Sequence, residues 1–129
     1  MPLSKDRNTK RRDGVQFSDP VAAGAVIYAG AMVVIDAAGN AAPGSTATGL
    51  RARGVAQEQV DNSGGLAGAV KVESRRGVFA FGNSAVADAI TRADIGNVAY
   101  IVDDQTVAKT DGTGTRSAAG TIRDLDDAG

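Results

Sequence analysis

The sequence predicts a mainly β protein: a small barrel or sandwich of about eight short strands, one short helix or helical turn, and an extended N-terminal arm. Valine is far more frequent than leucine, and β-branched side chains fit a pleated surface well. Short apolar or alternating segments recur about every ten residues, with glycine-containing turns between them. Short strands at such regular spacing are typical of sandwiches and barrels.

The first 19 residues are polar, charged and aperiodic, which predicts an extended arm outside the core. Within residues 1–14, two aspartates oppose five basic residues, which are Lys5, Arg7, Lys10, Arg11 and Arg12. Val15 and Phe17 alternate with polar residues, so the end of the arm is a candidate short strand or anchor. We expect the arm to dock on an acidic protein surface, while nucleic acid binding and a solvated tail are the alternatives.

The next segments read as strands separated by turns. Residues 25–28 and 31–35 are the first two candidates, and the second is apolar throughout, as expected of a strand buried on both faces. A turn at 36–40 and a loop or short edge strand at 41–49 follow. Residues 50–60 form an alternating strand, with a possible bulge at Gly54.

The clearest period-two alternation lies at residues 70–81 and predicts a β-hairpin. Arg75 and Arg76 then lie at its tip, as a wet turn or as salt-bridge donors to a partner. The second half is apolar on both faces, because Val78 and Ala80 share one face and Phe79 and Phe81 share the other. We expect these aromatic rings to anchor either the core or a seam between subunits.

Residues 83–95 carry the only helical signal. Ser84 is a candidate N-cap, and Thr91 with Asp94 has the form of a capping box. A second hairpin is predicted from 98–102 and 106–108, and a final strand at 121–125.

The core is expected to be thin. Of the 129 residues, 24 are alanine, three are phenylalanine and none is tryptophan. Ordering one backbone residue costs about 1–2 kcal/mol, so a domain with few large side chains gains from association with other chains.

Composition argues against an enzyme, a metal site or a cofactor. The chain has no cysteine and no histidine. The pairs Asp103-Asp104 and Asp126-Asp127 are neighbours in sequence, so an extended backbone points them to opposite faces, and we interpret them as a turn and a tail. Residues 110–114 and 64–68 lack the remaining parts of a protease motif and a phosphate-binding loop, respectively. No apolar run approaches the roughly 20 residues that span a bilayer, and no signal peptide is apparent, so a cytoplasmic origin is expected.

The order of these segments resembles that of the decoration, or cement, proteins of tailed-bacteriophage heads. The matching segments are residues 21–28 with 33–36 and 39–40, 53–56, 68–72 with 76–79, 93–96 with 98–104, and 119–122. The resemblance covers about residues 20–125. In the family the last strand often continues into a further aromatic-containing segment, which this sequence lacks.

The resemblance implies a structural function without catalysis. Residues 1–19 would be the basic arm, and residues 20–129 a β-barrel-type decoration domain. A homotrimer would bind the major capsid protein on the outer surface of the phage head, after assembly in the host cytoplasm, and bridge neighbouring capsid subunits. Independently of the resemblance, no membrane partner is expected, and nucleic acid is disfavoured because the arm lacks interleaved aromatics and two aspartates dilute its charge. A small nucleic-acid-binding β-barrel that uses the basic arm is the alternative.

Overall fold

The computed structural model describes residues 1–129 and contains eleven strands and no α-helix, which confirms the mainly β class. The strands are β1 (Gln16–Pro20), β2 (Val26–Ile27), β3 (Met32–Ile35), β4 (Ala41–Pro43), β5 (Arg51–Ala56), β6 (Val60–Asp61), β7 (Lys71–Arg75), β8 (Gly82–Asn83), β9 (Val98–Ile101), β10 (Thr106–Ala108) and β11 (Ala118–Thr121).

These strands form two sheets and a ribbon. The larger sheet has the order β1-β7-β5-β3-β4 and is antiparallel throughout. The second sheet has the order β11-β9-β10-β8, with β8 parallel to β10. Strands β2 and β6 form the separate ribbon. The sheets do not close into a barrel.

Strand β3 is buried on both faces, as its sequence predicts. Val33 packs in a cluster with residues of the β2–β6 ribbon, whereas Met32 and Val34 pack with Ile101 of the second sheet. Alternate side chains of a strand point to opposite faces. Because β3 lies between two apolar clusters, it needs apolar side chains on both faces.

The predicted hairpin at residues 70–81 is wrong. Strand β7 ends at Arg75, and it pairs with β1 on one side and with β5 on the other. Both of its edges are therefore occupied, and residues 78–81 have no place beside it. They instead lead to β8 in the second sheet.

The predicted bulge in β5 is present, and Arg53 is its extra residue. Val33 lies opposite Gly54, while Val34 lies opposite Ala52, so the register shifts by one residue between them. A Cβ at Gly54 would lie 2.5 Å from the carbonyl oxygen of Arg75. Only glycine allows this close approach of β5 to β7. The predicted strand at 50–60 is divided into β5 and β6.

The helical signal at 83–95 produces two single 3-10 turns, Val86–Asp88 and Arg92–Asp94. The capping box between Thr91 and Asp94 is present as predicted. Ser84 does not cap a turn, because its hydroxyl donates to the carbonyl oxygen of Val107.

Strands β9 and β10 confirm the second predicted hairpin. The final strand, β11, begins at Ala118 rather than near residue 121, and it pairs with β9 around an irregularity between Ala118 and Gly120. Ile122 is buried just after the strand ends. The helical elements are two three-residue 3-10 turns, and neither is a candidate membrane span.

Candidate interaction surface

An open groove of about 910 Å³ lies where β5 of the larger sheet faces β9 and β11 of the second sheet. More than half of its 25 lining residues are hydrophobic. Residues 76–81 line one side, and residues 119–126 line another. An apolar concavity of this size is the first candidate for a binding surface.

The groove exists because the space between two small cores is incompletely filled. It is lined by Met32 from one buried cluster and by Ile90, Ala99 and Ile122 from another. Alanine and glycine supply much of the remaining wall, and such side chains cannot reach across it. The thin core that composition predicts is thus visible as an open apolar cleft.

The two predicted aromatic anchors have different positions on the groove wall. Phe81 is partly buried and packs against the cluster of Met32, Val34 and Ile101. Phe79 is 38% exposed, and its ring meets that of Phe81 edge-to-face with the centroids 6.4 Å apart. Phe81 therefore belongs to the core, while Phe79 lies at the surface.

Val78 is the most exposed apolar residue of this wall, with 76% of its surface accessible. It follows Arg75, Arg76 and Gly77, and the two arginines are exposed and make no salt bridge. We refer to residues 75–79 as the basic flap. Val78 and both arginines of this flap are exposed to solvent.

Acidic residues also line the groove. Asp124 and Asp126 line it, and Asp127 follows directly. Arg92 pairs with Asp124 at 3.6 Å, but both side chains are well exposed. Arg123 lowers the local negative charge without cancelling it. We refer to residues 124–127 as the acidic tail.

The five basic residues of the predicted arm lie outside the sheets. Lys5, Arg7, Lys10, Arg11 and Arg12 are all exposed, and no strand includes any residue before Gln16. The arm leaves the domain beside the basic flap, since the carbonyl oxygen of Val15 accepts a hydrogen bond of 2.8 Å from the Arg76 N–H. Val15 remains 45% exposed.

Phe17 is part of the domain rather than of the free arm. It lies in β1, and the guanidinium of Arg53 stacks on its ring at 3.7 Å from the centroid. Arg12 lies 5.7 Å from the same ring and brings the base of the arm back toward β1. Arg53 also forms a two-pronged ion pair with Asp19, with Nε–Oδ2 at 2.9 Å and Nη2–Oδ1 at 3.0 Å.

Sequence reasoning missed the role of Arg53. Its partner Asp19 is 34 residues away, so no local pattern indicates the pair. The bulge gives β5 one residue more than β3 at this point, and that residue is Arg53. Such planar, two-bond pairs are among the stronger polar contacts, so this cluster fixes the root of the arm.

Two aspartates tie the 3-10 turns to the end of β10. A hydrogen bond from Thr110 lowers the pKa of Asp88, with a further contribution from Arg116. Backbone and hydroxyl hydrogen bonds from Thr91 lower the pKa of Asp94, and Lys109 at 3.8 Å adds to this effect. These carboxylates serve as structural acceptors, because each is engaged by neighbours within the fold.

The carboxylate pairs do not converge on a reaction centre. The side chain of Asp103 accepts the N–H of Gln105 in the β9–β10 turn, and that of Asp126 accepts the N–H of Ala128. No group of three or more acidic side chains is close enough to hold a metal ion. Asp103 and Asp126 thus act as hydrogen-bond acceptors within turns.

No protein-family model matches the chain, and neither the curated proteins nor the solved structures searched include a similar one. The resemblance to head decoration proteins therefore depends on the order of segments in the sequence.

Proposed function

We propose that this chain is a capsid decoration protein that binds an assembled phage head as a trimer and bridges neighbouring major capsid subunits. The role is structural and non-enzymatic, and the site of action is the outer surface of the virion. The observation that carries the proposal is the exposed basic arm, which is rooted firmly in the edge strand β1 of a small β domain.

An arm rooted in this way suits bridging. The domain can remain on one capsid subunit while the first 15 residues extend over the next. The ion pair of Arg53 with Asp19 and the stacking on Phe17 hold the last strand of the arm in place, so force applied to the arm is transmitted to the larger sheet.

The expected energy of each arm contact is small. An exposed ion pair contributes about 0–1 kcal/mol. Full burial of Val15 would add roughly 1.5–3 kcal/mol, reduced in proportion because this side chain is only 45% exposed before binding. Phe17 adds less than an exposed phenylalanine would, since Arg53 already covers one face of its ring.

A trimer makes such weak contacts sufficient. When one arm is bound, the other two are held near their sites, and linked binding events raise the overall affinity by about 10²- to 10⁴-fold. The small, incompletely filled core also favours assembly of several copies.

Deletion of residues 1–14 provides the test. The truncated protein keeps β1, so it should retain its fold and oligomeric state while losing most of its binding to undecorated heads of its own phage. Co-sedimentation measures the binding, and light scattering measures the oligomeric state.

A full-length variant with the five arm bases changed to glutamine separates charge from length. It should bind heads on the order of 10- to 1,000-fold more weakly. Lys71→Gln, an exposed base outside the arm, serves as the matched control and should bind normally. Normal head binding by the truncated protein would refute the role of the arm. A DNA gel shift that weakens steeply with salt would instead favour the nucleic-acid-binding alternative.

A further inference from the structure

We propose that the groove of one chain is filled by the basic flap of a second copy, in a head-to-tail contact in which Arg75 and Arg76 meet the acidic tail. This inference rests on the proposed trimer and names the surface that would form it. Residues 76–79 and the acidic residues Asp124 and Asp126 line the same groove, so every copy presents both a flap and a seat for another flap.

The apolar part of the argument concerns Val78 and Phe79. They lie on the wall of an apolar groove, yet neither side chain is enclosed by its own chain. The flap lines the rim of its own groove, and Val78 still exposes three quarters of its surface there. In a pair of copies, the apolar residues of one flap would fill the groove of the other copy, and that groove would cover the flap's exposed apolar surface.

The charges favour the same partner. Arg75 and Arg76 have no salt bridge within the chain, and neither do Asp126 and Asp127. A parallel arrangement of two flaps would bring arginine to arginine, which opposes association. A head-to-tail arrangement brings the arginines to the aspartates, and such complementarity sets the orientation of partners more than their raw affinity.

The size of the chain is compatible with this contact. A stable interface typically buries about 800 Å² on each partner, which is roughly a tenth of the 8314 Å² of accessible surface here. A head-to-tail contact uses two different surfaces, so it repeats from copy to copy and closes into a ring when the rotation allows.

The test measures self-association without capsids, which keeps its outcome separate from that of head binding. Light scattering with size-exclusion chromatography is applied to the wild type, to Arg75→Glu/Arg76→Glu, to Asp126→Arg/Asp127→Arg, and to the chain with all four changes. Each double variant should associate on the order of tenfold or more weakly. The chain with all four changes should associate again, because its glutamates face arginines.

Mixing supplies the decisive comparison. Differently tagged wild-type and four-change chains should each self-associate but should not co-purify, since their ends repel. Arg51→Glu/Lys71→Glu reverses two exposed bases outside the groove and should leave association unchanged. Val78→Ser should weaken association, whereas Leu66→Ser, at a similarly exposed residue away from the groove, should not.

Circular dichroism verifies that each variant is folded. A monomeric wild type at high concentration, or a four-change chain that assembles with the wild type, would overturn the proposal. In either case the arm could still bind capsids, so the proposed function would be judged by its own experiment.

Discussion

Replacement of Gly54 by alanine should destabilise the domain through one identifiable contact. The new Cβ would lie 2.5 Å from the Arg75 carbonyl oxygen and 2.7 Å from its carbon. Both atoms are backbone, so no side chain can rotate away to relieve the clash. Strands β5 and β7 must therefore move apart at their two paired positions, Val55 with Arg75 and Ala56 with Ser74.

The size of the effect follows from this geometry. Forcing an extra methyl group into closely packed structure costs about 1–3 kcal/mol. A domain of this length has a total stability of about 6–15 kcal/mol, so the loss is a substantial fraction. The melting temperature should fall by about 3–12 °C, as measured by calorimetry or circular dichroism.

Gly64→Ala is the matched control. A Cβ at Gly64 meets nothing within 4 Å, and this residue does not have a left-handed φ. Its replacement should be neutral or should stabilise the protein by up to about 1 kcal/mol, because alanine restricts the unfolded chain. If Gly54→Ala and Gly64→Ala melt at the same temperature, the close approach of β5 to β7 is not a constraint on this fold.

Three further predictions concern the surfaces described above. Arg53→Lys should lower the free energy of unfolding by about 1–2 kcal/mol in urea titrations, because lysine cannot reproduce the two-bond pair or the stacking, while Arg51→Lys should have little effect. Phe81→Ala should destabilise the domain by about 2–4 kcal/mol, whereas Phe79→Ala should cost less than half of that and should chiefly weaken self-association. The free energy of unfolding should fall below about pH 4, because folding lowers the pKa of Asp94. The ionised Asp94 carboxylate stabilises the fold fully above its unfolded-state pKa, and this stabilisation is lost as the pH falls through its folded-state pKa. Asp94→Asn should therefore reduce the acid sensitivity.

Clear results would contradict each of these. Equal losses for the lysine variants at positions 51 and 53 would exclude a special role for the cluster at the root of the arm. Equal thermal destabilisation by the two phenylalanine variants, with unchanged association, would place both rings in the core. An unchanged acid transition in Asp94→Asn would show that the capping carboxylate does not contribute to the pH dependence.

Local patterns in the sequence correctly predict those features that depend on neighbouring residues. The apolar run of β3, the β9–β10 hairpin and the Thr91–Asp94 capping box are all present. In each case the interacting groups are few residues apart, or a short apolar run indicates that the segment is buried. The sequence also predicts the exposure of residues 1–15, since charged and aperiodic residues have little apolar surface to bury.

Local sequence patterns do not predict which distant strands pair with each other. The alternation at residues 70–81 predicts that both halves are extended, but it does not say which strands lie beside them. Strand β7 pairs on one edge with β1, which is some 55 residues earlier, and on the other edge with β5. No edge remains for residues 78–81. The Phe79–Phe81 segment is consequently left on the groove wall, half in the core and half at the surface.

The fold class, the exposure of residues 1–15 and the thin Val/Ala core follow from composition and from periods of a few residues. Long-range packing sets where that thin core leaves an open groove, how Arg53 reaches Asp19, and which of the two phenylalanines is covered. These outcomes depend on competition among all strands for the same edges and the same apolar volume, and no single segment carries that information.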